Sequence, residues 1–137
     1  MFGASEELRN FIDANFNIWS SLFWFHQRRE LKKYRPLFDT IEKNPLTELQ
    51  RRAVILDERR NLAVAGAGTG KTSTIVAKAA HLIESGRCSA KDILLLAFNR
   101  DAANELAERC GERIGQKIQA TTFHAVGKQI IENVENK

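Results

Sequence analysis

The stretch Ala65–Thr72 reads AGAGTGKT and lies between an apolar run and a helix-forming run. No other feature constrains the fold as much. A glycine-rich turn of this form joins a strand to a helix and gathers successive backbone N–H groups around an anion. Gly66, Gly68 and Gly70 are expected to take backbone angles that a β-carbon disfavours. A helix opening at Lys71 aims the positive end of its dipole at the same anion. The Lys71 ammonium would reach the β- and γ-phosphates of a nucleoside triphosphate. The Thr72 hydroxyl would bind Mg²⁺, which takes oxygen ligands and keeps several waters. The general form G-x-x-x-x-G-K-[ST] opens with glycine where this chain has Ala65, and a small residue with ordinary strand angles can serve there. The expected nucleotide-binding set is Ala65, Gly66, Ala67, Gly68, Thr69, Gly70, Lys71, Thr72 and Ser73, with Lys71 and Thr72 acting on the phosphates. A bare glycine turn would account for the glycines but not for the Lys-Thr pair.

The surrounding pattern predicts an α/β fold. Residues 61–65 (NLAVA) read as a short strand, 71–85 as a helix with Gly86 as its stop, and 93–98 (ILLLAF) as a strand covered on both faces. Residues 101–110 read as a helix, 117–121 as a third strand and 123–134 as a last helix. Along the 71–85 helix, Ile75, Val76, Ala79, Leu82 and Ile83 are expected on the buried side. This β-α-β-α-β-α order implies a parallel sheet with right-handed crossovers.

Residues 1–44 have another character. Nine of the eleven aromatic residues lie between Phe2 and Phe38, and every glycine but Gly3 lies at or after Gly66. Two domains are therefore expected, a helical arm over 1–44 and an α/β part over 45–137. Ser5 suits a helix N-cap, and Leu8, Phe11, Ile12, Trp19, Leu22, Phe23 and Phe25 recur mostly at three- and four-residue steps. Pro36 should end or kink this helix, and a short second helix over 37–43 should stop before Pro45. Arg28, Arg29, Lys32, Lys33 and Arg35 read first as a solvated helix end and second as a nucleic-acid contact. So many rings imply that the arm packs on the lobe, on further parts of a longer protein, or on a second copy of the chain, which light scattering would register.

The longest apolar run has six residues, far short of the roughly 20 that a membrane span needs. The N-terminus carries acids where a signal peptide carries bases. Cys88 and Cys110 match no metal or redox spacing, so a reduced, cytoplasmic protein is expected. A net charge of +4 permits a nucleic-acid partner without requiring one.

Three flanking stretches carry a family resemblance. Leu46-x-x-x-Gln50, about twenty residues before Lys71, resembles the Q motif of UvrD/Rep-type superfamily 1 DNA helicases. In that family the glutamine reads adenine, and a side-chain amide can donate and accept at once. Thr47-x-x-Gln50 is equally a helix capping box, and both readings stand. Residues 92–110 resemble motif Ia, in which a strand ends in a loop touching single-stranded DNA. Phe98 would stack on a base or pack in the core, and Arg100 would hold a phosphate. The sequence FNRDAA is similar to the helicase IV-like branch. ATTFHAVG over 120–127 resembles motif Ib, whose matching Thr122 and His124 would contact the DNA backbone, with a purely structural His124 as the alternative. Several relatives carry arginine directly after the GKT, stacked on adenine, where this chain has Ser73.

The resemblance implies a partly built RecA-like lobe from an ATP-dependent helicase that translocates on single-stranded DNA and unwinds duplex. ATP and Mg²⁺ are the implied cofactors. Single-stranded DNA and the remaining helicase lobes are the implied partners. No apolar strand ending in Asp-Glu follows Thr121, so these residues are expected to bind ATP with negligible turnover. The alternative is an ATP-binding regulatory or interaction module. A small P-loop kinase is disfavoured, because no substrate lid follows the third predicted strand.

Overall fold

In the computed structural model, residues 21–135 are described. The helix start at Ser5 and the positions Leu8, Phe11, Ile12 and Trp19 lie outside them. The elements are α1 (21–33), α2 (Arg35–Thr40), α3 (Glu48–Ile55), α4 (Lys71–Glu84), a 3₁₀ turn (Ala90–Asp92), β1 (Leu94–Ala97), α5 (Arg100–Ile114), β2 (Gln119–Thr122) and α6 (Phe123–Glu135).

Local chemistry sets most of the boundaries. The Tyr34 turn separates α1 from α2, which has Pro36 in its first turn; this is the predicted break. Helix α2 ends at Thr40, short of the expected Lys43. Gly86, at φ +72°, stops α4. Its N–H donates to the Ile83 carbonyl (3.0 Å) and the Arg87 N–H to the Leu82 carbonyl (3.1 Å). These two bonds satisfy carbonyls that the helix end would otherwise leave open. The Asn99 side chain caps α5 by accepting from the Ala102 N–H at 2.8 Å.

Strands β1 and β2 pair in parallel, Leu94 opposite Gln119 through Ala97 opposite Thr122, as the alternation predicts. The first predicted strand does not form. Residues 61–65 are irregular, and Leu62 and Val64 are 90% and 91% exposed. The sheet of the described residues contains only β1 and β2; this segment pairs with neither, and apolar sequence alone, without a ladder for its N–H and C=O groups, cannot hold it extended. The expected β-α-β-α-β-α lobe is thus present from its first helix onward. Strand β1 is covered on one face only: Ala97 is buried, whereas Leu94 and Leu96, which alternate with it, are exposed.

The arm and the α/β part share one core. Tyr34, Phe38 and Ile41 are buried in the same cluster as Val54, Val76, Ala80, Cys110 and Ile118. This seam changes the buried side of α4. Val76 and Ala79 are buried as expected, but Ala77, Ala80 and His81 join them, and Ile75 is exposed. Phe23, Trp24 and Phe25 are exposed, with the Arg52 guanidinium 5.2 Å from the Trp24 ring. Arg28, Arg29, Lys32, Lys33 and Arg35 are all exposed, as a solvated face requires. Cys110 is buried, Cys88 half-buried, and both are free thiols. No helix of the described residues is long and apolar enough to cross a membrane.

His81 gives the seam a pH response. Its ring is fully buried, 4.4 Å from the Tyr34 ring, and neither ring nitrogen has a hydrogen-bond partner. Burial, aided by Arg87 and Lys78 and opposed by Glu30 and Asp57, lowers its pKa to about 4. The folded state therefore holds His81 neutral while the unfolded chain protonates it below about 6.5. Stability should fall as pH drops through that window, by about 3 kcal/mol from this residue. Urea titrations at pH 7 and pH 4 test this: in His81→Phe the acid loss should shrink by about that amount. An unchanged loss would show that other groups govern it.

Candidate nucleotide and nucleic-acid sites

The glycine loop is built by the turn before α4. Gly68 (φ +74°) and Gly70 (φ +84°) adopt the left-handed conformation, which glycine takes without the strain of a β-carbon. Gly66 does not, contrary to expectation, and a β-carbon there would make only ordinary contact with Thr69 Cγ2 at 3.7 Å. No described residue other than glycine has positive φ, so Ala65 and Ala67 carry no backbone strain. Gly70 is the N-cap of α4, which has no side-chain cap and no acid in its first turn. Nothing in that turn neutralises the positive end of the dipole.

Lys71 Nζ donates to the Gly66 carbonyl (2.7 Å) and the Ala65 carbonyl (3.2 Å), which keeps the ammonium over the loop. The Thr69 hydroxyl donates to the Gly66 carbonyl at 2.8 Å and closes the turn from within.

Gln50 satisfies its capping reading and reaches the loop at the same time. Its Oε1 accepts from the Thr47 N–H at 2.8 Å, and the Thr47 hydroxyl accepts from the Gln50 N–H at 3.4 Å. Its Nε2 donates to the Thr69 carbonyl at 3.2 Å and lies 3.5 Å from that of Gly70. A β-carbon at Gly70 would meet this amide, so the end of the Gln50 side chain would have to shift; the positive φ is what favours glycine there. Lys78 Nζ donates to the Val54 carbonyl (2.7 Å) and to the Leu56 carbonyl. That ties the end of α3 to α4 and fixes Gln50 relative to the loop. Burial lowers the Lys78 pKa.

Two cavities flank the loop. One of about 280 Å³ has Gln50, Gly68, Thr69, Gly70 and Ser73 in its wall, with Glu42 and Arg109. The other, of about 490 Å³, is bordered by Ala65, Gly66, Thr69 and Lys71 with the apolar Leu49, Val64 and Ile75. Ala67 and Thr72 border neither. Among the described residues no three His, Cys, Asp or Glu side chains gather as metal ligands. Mg²⁺ at this loop would rest on Thr72, phosphate oxygens and water, a set that suits it.

The four predicted DNA residues share one groove. Phe98, Arg100, Thr122 and His124 line a cavity of about 580 Å³ with Lys128 and Gln129. Phe98 is 95% exposed, so it is not a core residue. His124 is exposed. Thr122 is buried, and its hydroxyl accepts from the Ala125 N–H at 3.3 Å, capping α6. Sequence reasoning missed Lys128, although it lies one helical turn beyond His124 on the same helix. It also missed Arg109 and Glu42, which no local spacing connects to the loop.

A family model described as the UvrD/REP helicase N-terminal domain matches residues 46–137. The chain belongs to the UvrD/Rep helicase family. It is 45% identical over 108 residues to DNA helicase IV of Escherichia coli, a match covering 78% of this chain and 16% of that protein. It is 42% identical over 74 residues to the ATP-dependent DNA helicase Rep of the same organism, covering 51% of this chain and 11% of Rep. A probable DNA helicase II homolog of Rickettsia conorii is 36% identical over 83 residues, covering 60% of this chain and 13% of the homolog. The chain thus spans less than a fifth of the length of each of these relatives.

Proposed function

We propose that this UvrD/Rep-family chain is the ATP-binding front of a DNA helicase motor that moves along single-stranded DNA and opens duplex. One observation carries the reading. An ammonium, Lys71, is held over a loop that Gly68 and Gly70 bend into the left-handed region, at the uncapped N-terminus of α4. Such a loop binds phosphates by charge and backbone N–H groups together. Lys71 neutralises the β- and γ-phosphates, Thr72 offers a hydroxyl to Mg²⁺, and the loop residues Ala65 to Gly70 with Ser73 surround the chain of phosphates. Gln50 serves adenine on this reading, turning part of its amide from the loop to the base. Mg²⁺, when bound, offsets charge on the β- and γ-oxygens. Residues 1–44 form the arm and 45–137 the lobe.

The DNA side of the proposal rests on the groove beside β1 and β2. Phe98 offers a bare ring to a base, Arg100 supplies a cation for phosphates, and Lys128, 3.6 Å from the Glu132 carboxylate that also lines the groove, supplies a second. Fluorescence anisotropy with oligothymidine tests it. Log affinity should fall with log salt by about 0.7 per neutralised phosphate, so Arg100→Ala should flatten the slope by about that amount. Phe98→Ala should weaken binding by about 1–3 kcal/mol at fixed salt. Binding that neither substitution changes would place DNA on another surface, such as the Arg28–Arg35 cluster.

A further inference from the structure

Helix α1 turns one side to the lobe and leaves the other bare. Gln27, Glu30 and Tyr34 are buried at three- and four-residue steps. On the opposite side, Phe25 is followed one helical turn later by Arg28 and Arg29 and two turns later by Lys32, all exposed. Phe25 is 69% exposed, and among the described residues no other ring or cation stacks on it. Its neighbour Trp24 is braced instead: Phe23 meets it edge-on at 6.5 Å and the Arg52 guanidinium lies over it.

The charge on this side lacks a counterpart. Residues 21–35 hold five cations and one acid. That acid, Glu30, is buried and faces His81 at 4.0 Å, so it does not neutralise the outer side. Arg35 pairs with Asp39 at 3.5 Å. Among the described residues Arg28, Arg29 and Lys32 form no ion pair. Arg28 and Arg29 stand four and three residues from Lys32, the spacings at which like charges on a helix destabilise it. A solvated helix end accounts for their exposure but not for this repulsion, which an anionic partner relieves.

Two features decide which anion fits. From Phe25 to Lys32 the helix advances about 10 Å, the length of about three stacked nucleotides at about 3.4 Å each. An unpaired base can lie on an open ring while the phosphates of its strand pass the cations. A duplex hides its base faces and would leave Phe25 unused. A lipid surface takes a helix with a broad apolar face, and on α1 the side that carries Leu31 and Tyr34 is turned into the core.

We propose that the outer side of α1 binds single-stranded nucleic acid, with Phe25 stacking on a base and Arg28, Arg29 and Lys32 neutralising phosphates. None of these residues lines the groove of Phe98. The arm is thus a second contact, on a part of the chain that precedes the family match at residue 46, and it needs neither ATP nor the groove.

Fluorescence anisotropy of the 137-residue chain with oligothymidine, over a salt series, separates the two roles. Replacing Arg28, Arg29 and Lys32 together by alanine should flatten the log–log salt slope by about 2, at about 0.7 per phosphate. Phe25→Ala should leave the slope as it is and weaken binding about five- to 100-fold at fixed salt. Phe25→Trp keeps a stacking face and should hold affinity within about twofold of wild type, which a need for phenylalanine in folding would not allow. The matched oligothymidine–oligoadenine duplex should bind less tightly and be indifferent to Phe25→Ala. An unchanged slope in the triple variant, or unchanged affinity in Phe25→Ala, would overturn the proposal. So would a duplex that binds as tightly as the single strand, or arm variants that lose affinity for phosphatidylserine vesicles while keeping it for oligothymidine. Phe98→Ala and Arg100→Ala report on the groove alone. If only they change binding, the groove reading stands and the arm proposal fails; if only the arm variants do, the arm stands and the groove reading fails.

Discussion

Lys71→Ala should lower the affinity of the chain for ATP by about 100-fold or more. The ammonium sits over the loop on two of the loop's own carbonyls, Ala65 and Gly66. It is therefore close to where phosphate oxygens would meet the α4 N-terminus. Removing one partner of a close charge pair costs about 2–5 kcal/mol, and each 1.4 kcal/mol is tenfold. Backbone N–H groups would remain, so weak binding should persist rather than vanish. The substitution should leave the fold intact, because Lys71 is exposed and its ammonium bonds to carbonyls of the loop itself. Titration calorimetry gives the affinity directly. A thermal melt with excess ATP gives an independent reading, because a ligand that binds only the folded state raises its melting temperature. Wild-type affinity in the variant would mean that the loop is a structural turn.

The 137-residue chain should hydrolyse ATP at less than about 10⁻² s⁻¹, against an ordinary enzyme range of about 1–10³ s⁻¹. Phosphoryl transfer needs an in-line water, charge stabilisation on the transferring group and a held metal. On the proposed reading the loop supplies Lys71 and Thr72 for the phosphates and the metal. Among the described residues around it, the carboxylate in the smaller cavity is Glu42, whose Oε2 is paired with Arg109 and Arg113. Among the described residues lining the two cavities at the loop, no second carboxylate stands to place a water. A coupled assay for phosphate release, with and without oligothymidine, measures the rate. Turnover in the ordinary range would mean that a base lies within these residues, and Lys71→Ala would then have to abolish it.

Several parts of this protein follow from local sequence. Pro36 breaks the arm helix because it lacks an N–H and restricts the residue before it. Gly86 ends α4 because it takes the left-handed angle that the closing hydrogen bonds require. Gly68 and Gly70 bend the loop for the same steric reason, and the Thr47–Gln50 pair caps α3 over three residues. The parallel pairing of β1 with β2 follows from the helix that must connect them. Each of these signals acts within one element or across one connection, so the sequence displays it directly.

The remainder depended on what each element meets. Residues 61–65 have the composition of a strand, yet a strand exists only when a neighbour accepts its backbone hydrogen bonds, and this segment pairs with neither strand of the described sheet. Leu94 and Leu96 read as core residues but lie on a sheet face that nothing described covers. His81 was hidden among the polar positions of α4, because its burial is imposed by Tyr34 and Phe38 of the arm. Glu42 and Arg109 lie far apart in sequence and meet only because α5 crosses beside α4 while the arm packs on both. Backbone punctuation is a property of the nearest few atoms. Burial, pairing and the wall of a cavity are set by surfaces that come together only when the chain folds.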